Sequence, residues 1–158
     1  MKKCLSFIFL FLFSASFIFH ACAAENNKSD FALAPAFQLN DLNGKAVSLS
    51  GYLGKKTVLL VFWTTWCPYC REQLKDLNER YPWLAKKSIE VLAINTGEPK
   101  DKVAGFAKSR SLTFKILLDE DNQVAASYDL MGVPTYFVVD ISGKIVSAGN
   151  YFPEDMIK

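Results

Sequence analysis

Thr57-Val58-Leu59-Leu60-Val61-Phe62-Trp63-Thr64-Thr65-Trp66-Cys67-Pro68-Tyr69-Cys70 is the stretch that decides how this chain folds. Thr57 to Trp63 is a continuous apolar run of strand length, as expected of a strand covered on both faces of a sheet. Pro68 then stands where the first position of a helix tolerates proline. From Arg71 to about Tyr81, Leu74 and Leu77 share one face and charges occupy the others, which predicts a helix. A cysteine pair therefore sits where a buried strand hands over to a helix. At that place Cys67 meets unpaired backbone N–H groups and the positive end of the helix dipole, both of which stabilise a thiolate. Thiolate is the reactive form in disulfide exchange.

Cysteine usage narrows the chemistry. The chain has four cysteines and one histidine, and Cys4, Cys22 and His20 all fall in the apolar N-terminal leader. Only Cys67 and Cys70 remain for the folded part, apart from a lipidated Cys22. A structural zinc site wants four Cys or His ligands, so two argue against one, and no metal site is expected. A passive staple is a poor explanation too, because closing so small a loop is worth only about 2 kcal/mol in the chain-entropy model. A reversible redox pair is the better reading, with the Cys67–Cys70 disulfide itself as the only redox group and no other cofactor.

The leader addresses the domain. Lys2 and Lys3 precede a run from Leu5 to Phe19 of Leu, Ile and Phe with a few Ser and Ala, followed by small residues at Ala21 to Ala24. That is a secretory signal pattern. Counted through His20 and the alanines, the run reaches roughly 20 residues, enough to span a bilayer uncleaved. Cys22 after Ala21 resembles a lipoprotein cleavage site, with Phe19 and His20 as poor matches to it. Cleaved, lipid-anchored and uncleaved forms all stay open, and all three export the domain. Residues 1–24 are thus a signal peptide or membrane anchor, 25–36 a tether and 37–158 the folded domain.

Charge excludes one partner class. The chain has 18 basic and 16 acidic residues, and Lys2 and Lys3 are the only charged residues of the leader, so the exported part is neutral. No basic surface for nucleic acid is expected. The exported part is one domain in size, without repeats or low-complexity blocks.

The remaining segments supply a scaffold. Phe37–Leu42 and Lys45–Leu49 around Asn43-Gly44 predict a hairpin with an Asn-Gly turn, and Gly51–Lys56 a loop. Ile89–Asn95 predicts a second buried strand, parallel to the first through a right-handed crossover. Pro99 and Asp101 open a helix through Lys108 whose apolar side is Val103, Phe106 and Ala107. Phe114–Leu118 reads as a short strand and Asn122–Tyr128 as a short helix. Thr135–Val139 and Ile145–Ala148, joined through Ser142-Gly143, predict a closing hairpin, and Glu154–Lys158 the first turn of a helix. The sum is an α/β architecture, a central mixed sheet flanked by helices.

Four segments in order, APAFQLNDLNGKAVSLSGYLGK, VLLVFWTTWCPYCREQL, VLAINTGEP and GVPTYFVVDISGKIV, resemble the TlpA/ResA-type (AhpC/TSA-like) exported thioredoxins of bacteria. The similarity runs from Pro35 to about Tyr151. It implies a thioredoxin-like fold with an N-terminal β-hairpin and a family-type insertion between Ile89 and Ser111. It also implies that Pro134 is cis and faces the cysteine pair, and that the Val133 backbone pairs with an extended substrate. Cys67 would attack from an exposed helix start, and Cys70, one turn further in and more buried, would resolve the mixed disulfide. Trp66, Pro68, Tyr69, Val133 and Pro134 are the expected substrate contacts, with Trp63 either on that rim or in the core. The implied activity is thiol–disulfide exchange at the periplasmic or extracytoplasmic face of the cell membrane, most readily a reductase such as in cytochrome c maturation. The implied partners are exported protein thiols or disulfides, apocytochrome c among them, and a membrane thiol carrier as electron donor. The membrane itself is a partner if the leader is uncleaved or Cys22 lipidated.

The chain also departs from its relatives. Many TlpA/ResA-type proteins carry a glutamate three positions after the second cysteine, where this chain has Gln73. Cytoplasmic thioredoxins bury an aspartate six positions before the first cysteine, where it has Val61. Glu72 lies roughly 100° around the helix from Gln73 and is expected in solvent. The proton-transfer group is therefore left unassigned. Cys-Pro-Tyr-Cys is also a glutaredoxin dipeptide, but the leader and flanking tryptophans favour the exported family. A peroxiredoxin reading fails on Leu60 and on the closeness of Cys70. An oxidase of exported proteins, and a non-enzymatic copper-binding or interaction module, are the alternatives.

Overall fold

The structure, a computed structural model, describes residues 32–156. The leader with Cys22, the tether through Phe31 and the last two residues lie outside the described residues. Seven strands form one mixed sheet: β1 Gln38–Asp41, β2 Ala46–Ser48, β3 Thr57–Trp63, β4 Ile89–Thr96, β5 Lys115–Asp119, β6 Thr135–Val139 and β7 Ile145–Gly149, in the order β2-β1-β5-β4-β3-β6-β7. Helices are α1 Pro68–Lys86, α2 Lys100–Ser109 and α3 Gln123–Ser127.

The apolar run sits where its composition demands. β3 is the fifth of the seven strands in sheet order, parallel to β4 and antiparallel to β6, and Val58 to Trp63 are completely buried. Both of its faces are covered, at about 2 kcal/mol of burial for each large apolar side chain. Leu59, Val61 and Trp63 face α1 and α2, where Leu74, Leu77, Leu84, Val103 and Ala107 meet them. Val58, Leu60 and Phe62 face the layer of Phe37, Val124, Ala125 and Tyr128. Two crossovers in the same direction, β3-α1-β4 and β4-α2-β5, put α1 and α2 on one face, and α3 covers the other. The expected mixed sheet flanked by helices is what forms.

Differences from the expected elements have local causes. Helix α1 runs past Tyr81 to Lys86 with Pro82 inside it. An interior proline costs about 3 kcal/mol, and the continuation offsets this by burying Leu84 completely. The Asn78 side chain adds anchorage, donating to the Ser111 carbonyl at 3.1 Å and accepting from the Thr113 N–H at 2.8 Å. The first hairpin does not use a two-residue Asn-Gly turn. The Asp41 N–H bonds to the Lys45 carbonyl at 2.9 Å, leaving the three-residue loop Leu42-Asn43-Gly44, with Gly44 at φ +79. Three-residue loops want a left-handed residue at that last place. Asp140-Ile141-Ser142-Gly143-Lys144 repeats the arrangement, with Gly143 at φ +88 and the Asp140 carboxylate accepting from the N–H groups of Ser142 and Lys144.

Residues 32–35, read as the end of the tether, are docked. The Ala34 N–H bonds to the Gly143 carbonyl at 2.8 Å, the Ile145 N–H to the Ala32 carbonyl at 3.0 Å, and the Tyr128 hydroxyl to the Pro35 carbonyl at 2.9 Å. Backbone groups beside the outer strand β7 thereby gain partners. At the other end, Glu154–Met156 form a short 3-10 turn in place of the expected first turn of an α-helix. Among the described residues no helix is long and apolar enough to cross a membrane.

Candidate active site

β3 ends at Trp63, and the chain turns through Thr64, Thr65 and Trp66 into α1. Cys67 is the N-cap of α1, with extended backbone at φ −77 and ψ 116. Its sulfur takes the place of the usual cap oxygen and accepts the Cys70 backbone N–H at 3.2 Å. The same thiol donates to the Val133 carbonyl at 3.6 Å, and the bond between Val133 and Pro134 is cis. Residues 66 positions apart thus meet at one sulfur, and Cys67, Cys70 and Val133 form one site.

Exposure differs from the expected contrast between the two cysteines. Cys67 is only 4% exposed and Cys70 is fully buried. The Val133 carbonyl closes over the Cys67 sulfur, which an argument from the helix start alone does not include. Around the pair the surface is apolar. Trp66 is 62% and Tyr69 71% exposed, Pro68 is exposed, Val133 is half-buried and Pro134 buried. Trp63 belongs to the core, fully buried with its ring 5.3 Å from that of Phe106.

Burial pushes the Cys70 thiol up to about 12, helped by its hydrogen bond with Cys67 and only partly opposed by the Thr64 backbone N–H. At neutral pH Cys70 is therefore a thiol. A resolving cysteine in that state must give up a proton before it can attack.

One site residue escapes sequence reasoning. Glu98, 4% exposed, follows the end of β4, at the same edge of the sheet as Cys67 because β3 and β4 are parallel. Its carboxylate accepts the Thr65 N–H at 2.6 Å, the Thr65 hydroxyl at 2.7 Å and the Asn95 amide at 2.9 Å, and pairs with Lys102 at 2.7 Å. Burial opposes its ionisation, yet the hydrogen bonds from Asn95, Lys102 and Thr65 outweigh burial and bring Glu98 down to about 2. The Thr65 carbonyl is held as well, by Arg71 Nε at 2.9 Å. The loop that aims Cys67 is thus clamped on its N–H, hydroxyl and carbonyl. The signal available in sequence was position: a glutamate just past the C-terminal end of a buried parallel strand, where sites of α/β sheets gather.

At Gln73 and Val61, the two positions where the resemblance led to the expectation of an acid, the structure shows other chemistry. Gln73 donates from Nε2 to the Asn150 carbonyl at 3.3 Å and leaves its buried Oε1 without a partner. Val61 pairs across the sheet with Tyr136, whose buried hydroxyl also lacks a partner. Glu72 is exposed, as its position on the helix requires. Among the described residues, no group of three or more His, Cys, Asp or Glu side chains converges as a metal site.

Comparison with known proteins places this geometry. Residues 32–148 match the AhpC/TSA family. The thiol-disulfide oxidoreductase ResA of Geobacillus thermodenitrificans is 42% identical over 125 residues, spanning 78% of this chain and 71% of that protein. ResA of Bacillus subtilis is 38% identical over 124 residues, 78% of this chain and 69% of that one. The crystal structure of the thioredoxin domain of a thiol-disulfide oxidoreductase from Bacteroides vulgatus superposes with a TM-score of 0.72 at 26% identity, covering 80% of this chain and 96% of that one. The chain belongs to the AhpC/TSA family and is a thiol–disulfide oxidoreductase of thioredoxin-like fold.

Proposed function

We propose that this protein reduces disulfides of exported proteins through Cys67 and Cys70. The observation that carries the reading is the placement of the Cys67 sulfur, at the start of α1 between the Cys70 N–H at 3.2 Å and the Val133 carbonyl at 3.6 Å. Cys67 attacks a client disulfide and forms a mixed disulfide. Cys70 then attacks the Cys67 sulfur, a Cys67–Cys70 disulfide forms, and the client leaves as a dithiol, two electrons richer. Trp66, Pro68, Tyr69, Val133 and Pro134 make the surface on which the client chain rests.

Export rests on the leader at 1–24, and the reducing direction on the likeness to ResA-type relatives. Apocytochrome c, whose haem-binding cysteines must be reduced, is the proposed client, and a membrane thiol carrier the proposed electron donor. The pair needs no other cofactor, and the membrane is a partner where the leader or Cys22 holds the domain to it.

The test is the reduction potential of the Cys67–Cys70 pair in the exported domain, equilibrated against glutathione or dithiothreitol buffers. A value near that of thioredoxin, about −270 mV, supports the reductase. A value near that of DsbA, about −120 mV, makes the protein an oxidase. No reversible couple at all would sink the exchange reading and leave a binding module.

A further inference from the structure

The charge of this domain is sorted by end. Residues 32–156 carry 14 basic and 14 acidic side chains and are neutral in sum, yet lysines crowd the end of the sheet opposite Cys67. Because β3, β4 and β5 are parallel, their N-terminal ends lie together. Lys55 and Lys56 immediately precede β3, Lys86 and Lys87 lie where α1 hands over to β4, and Lys115 opens β5. Lys144 joins them, because the end of β6 and the start of β7 pair at the level of Val58. Lys55, Lys86, Lys87 and Lys144 are exposed. The acidic groups beside these lysines are engaged. Glu90 pairs with Lys56 at 2.7 Å and with Lys115 at 3.1 Å, and the Asp140 carboxylate accepts from the N–H groups of Ser142 and Lys144 within its own turn. At the other end, where β4 and β5 finish, Glu98, Asp101, Asp119, Glu120 and Asp121 outnumber Lys100 and Lys102.

Apolar side chains stand among the lysines. Leu33, Trp83 and Ile141 are all exposed, and Lys87 Nζ lies 4.6 Å over the Trp83 ring. Lysines whose stems lie along apolar groups, with tryptophan beside them, suit a surface that is charged outside and apolar beneath, as lipid headgroups are. A nucleic acid backbone would meet the charge alone.

The chain also enters the domain at this end. Leu33 bridges to Lys144, and the Ala34 N–H bonds to the Gly143 carbonyl at 2.8 Å. Seven residues, 25–31, separate the apolar leader from Ala32, and a chain of that length spans at most about 25 Å. β3 itself is about 23 Å long from Thr57 to Trp63, so Cys67 stands at the far end of the domain.

We propose that the lysine-rich end of this domain docks on anionic phospholipid headgroups of the membrane, with Trp83 and Ile141 at the lipid interface and Cys67 on the opposite side, open to clients. Clustered lysines at an anionic surface add about a fivefold gain in partitioning each, and salt screens them. The inference rests on the export reading above, which brings the domain to a membrane face.

The test uses the domain without its leader, residues 25–158, which holds every strand and both buried layers and is free of any pull from an anchor. Sedimentation with phosphatidylglycerol–phosphatidylcholine vesicles is expected to carry the domain down, and pure phosphatidylcholine or 0.5 M NaCl to release it. The triple variant Lys55→Gln, Lys86→Gln, Lys144→Gln is expected to bind the mixed vesicles on the order of a hundredfold more weakly. A control triple variant of equal charge, Lys75→Gln, Lys100→Gln, Lys108→Gln, is expected to keep most of the binding. Insulin reduction in solution checks that both variants fold and is expected to be unchanged. Equal losses in the two triple variants would overturn the proposal, because net charge and not this end of the domain would then decide. Binding to a single-stranded oligonucleotide as tight as to the mixed vesicles would overturn it too, by showing a surface for any polyanion. An unsubstituted domain that reduces insulin and ignores the mixed vesicles would overturn this inference alone. One that binds them through these lysines and reduces nothing would support it and remove the reductase reading.

Discussion

Thr65 gives both its backbone N–H and its hydroxyl to the Glu98 carboxylate, at 2.6 and 2.7 Å, and so fastens the loop in front of Cys67 to the end of the neighbouring strand. Neither residue touches a sulfur through these bonds, yet together they fix where α1 begins. Glu98→Gln keeps the shape and removes the charge, and its amide N–H₂ then faces donors on Thr65, Asn95 and Lys102. A buried donor left without its acceptor costs about 1–3 kcal/mol. The expected result is a Tm lower by several degrees together with slower exchange, measured by calorimetry and by insulin reduction. An unchanged Tm would show that the clamp adds nothing to the fold.

The same carboxylate sets a pH dependence. Its pKa in the fold is about 2, below the ordinary glutamate value of about 4.3. A lowered carboxylate pKa adds stability above the unfolded value and loses it as pH falls towards the folded one. The stability difference between the unsubstituted protein and Glu98→Gln should therefore be constant from pH 8 to pH 5 and shrink between about pH 4 and pH 2. Urea unfolding of both proteins at pH 7, 5, 4 and 3 measures it. A difference that persists undiminished at pH 3 would assign the effect to shape and not to charge.

Much of this architecture is legible from local pattern. β3 and β6 match their expected limits residue for residue, because a continuous apolar run bounded by turn residues has few other solutions. The Cys67–Cys70 pair and the Val133–Pro134 segment were legible from motif and resemblance, and the structure brings them to one sulfur. What stayed hidden depends on partners distant in sequence. Pro82 reads as a helix breaker until the burial of Leu84 is known. The shielding of Cys67 comes from a carbonyl 66 residues away. Glu98 looks like a surface residue in a Gly-Glu-Pro loop, and only the parallel register of β3 and β4 carries it to Thr65.

The two cysteines should separate by variant. Cys67 lies at the helix start with its sulfur against Val133, and Cys70 is fully enclosed. Cys67→Ser is expected to abolish exchange, and Cys70→Ser to leave attack intact and accumulate mixed disulfides with clients. Non-reducing gels after acid quenching and alkylation measure both. The reverse pattern would reverse the roles.

Gln73 offers the sharpest test of how this chain differs from its relatives. Its amide N–H₂ holds the Asn150 carbonyl at 3.3 Å, its Oε1 is buried with no partner, and the residue lines a cavity together with Tyr136. Gln73→Glu places a titratable acid there and withdraws the donor from Asn150. A carboxylate in a half-buried site near the Cys70 thiol disfavours a second negative charge, so the two ionisations become coupled. The pH–rate profile of exchange should gain an inflection in the range where a half-buried glutamate titrates. Loss of the Asn150 bond alone would alter rates by the same factor at every pH, and Gln73→Leu, which removes the bond and adds no acid, supplies that comparison. If Gln73→Glu and Gln73→Leu show the same pH dependence, a carboxyl at this position has no access to the sulfurs, and the substitution that separates this chain from its relatives is chemically silent.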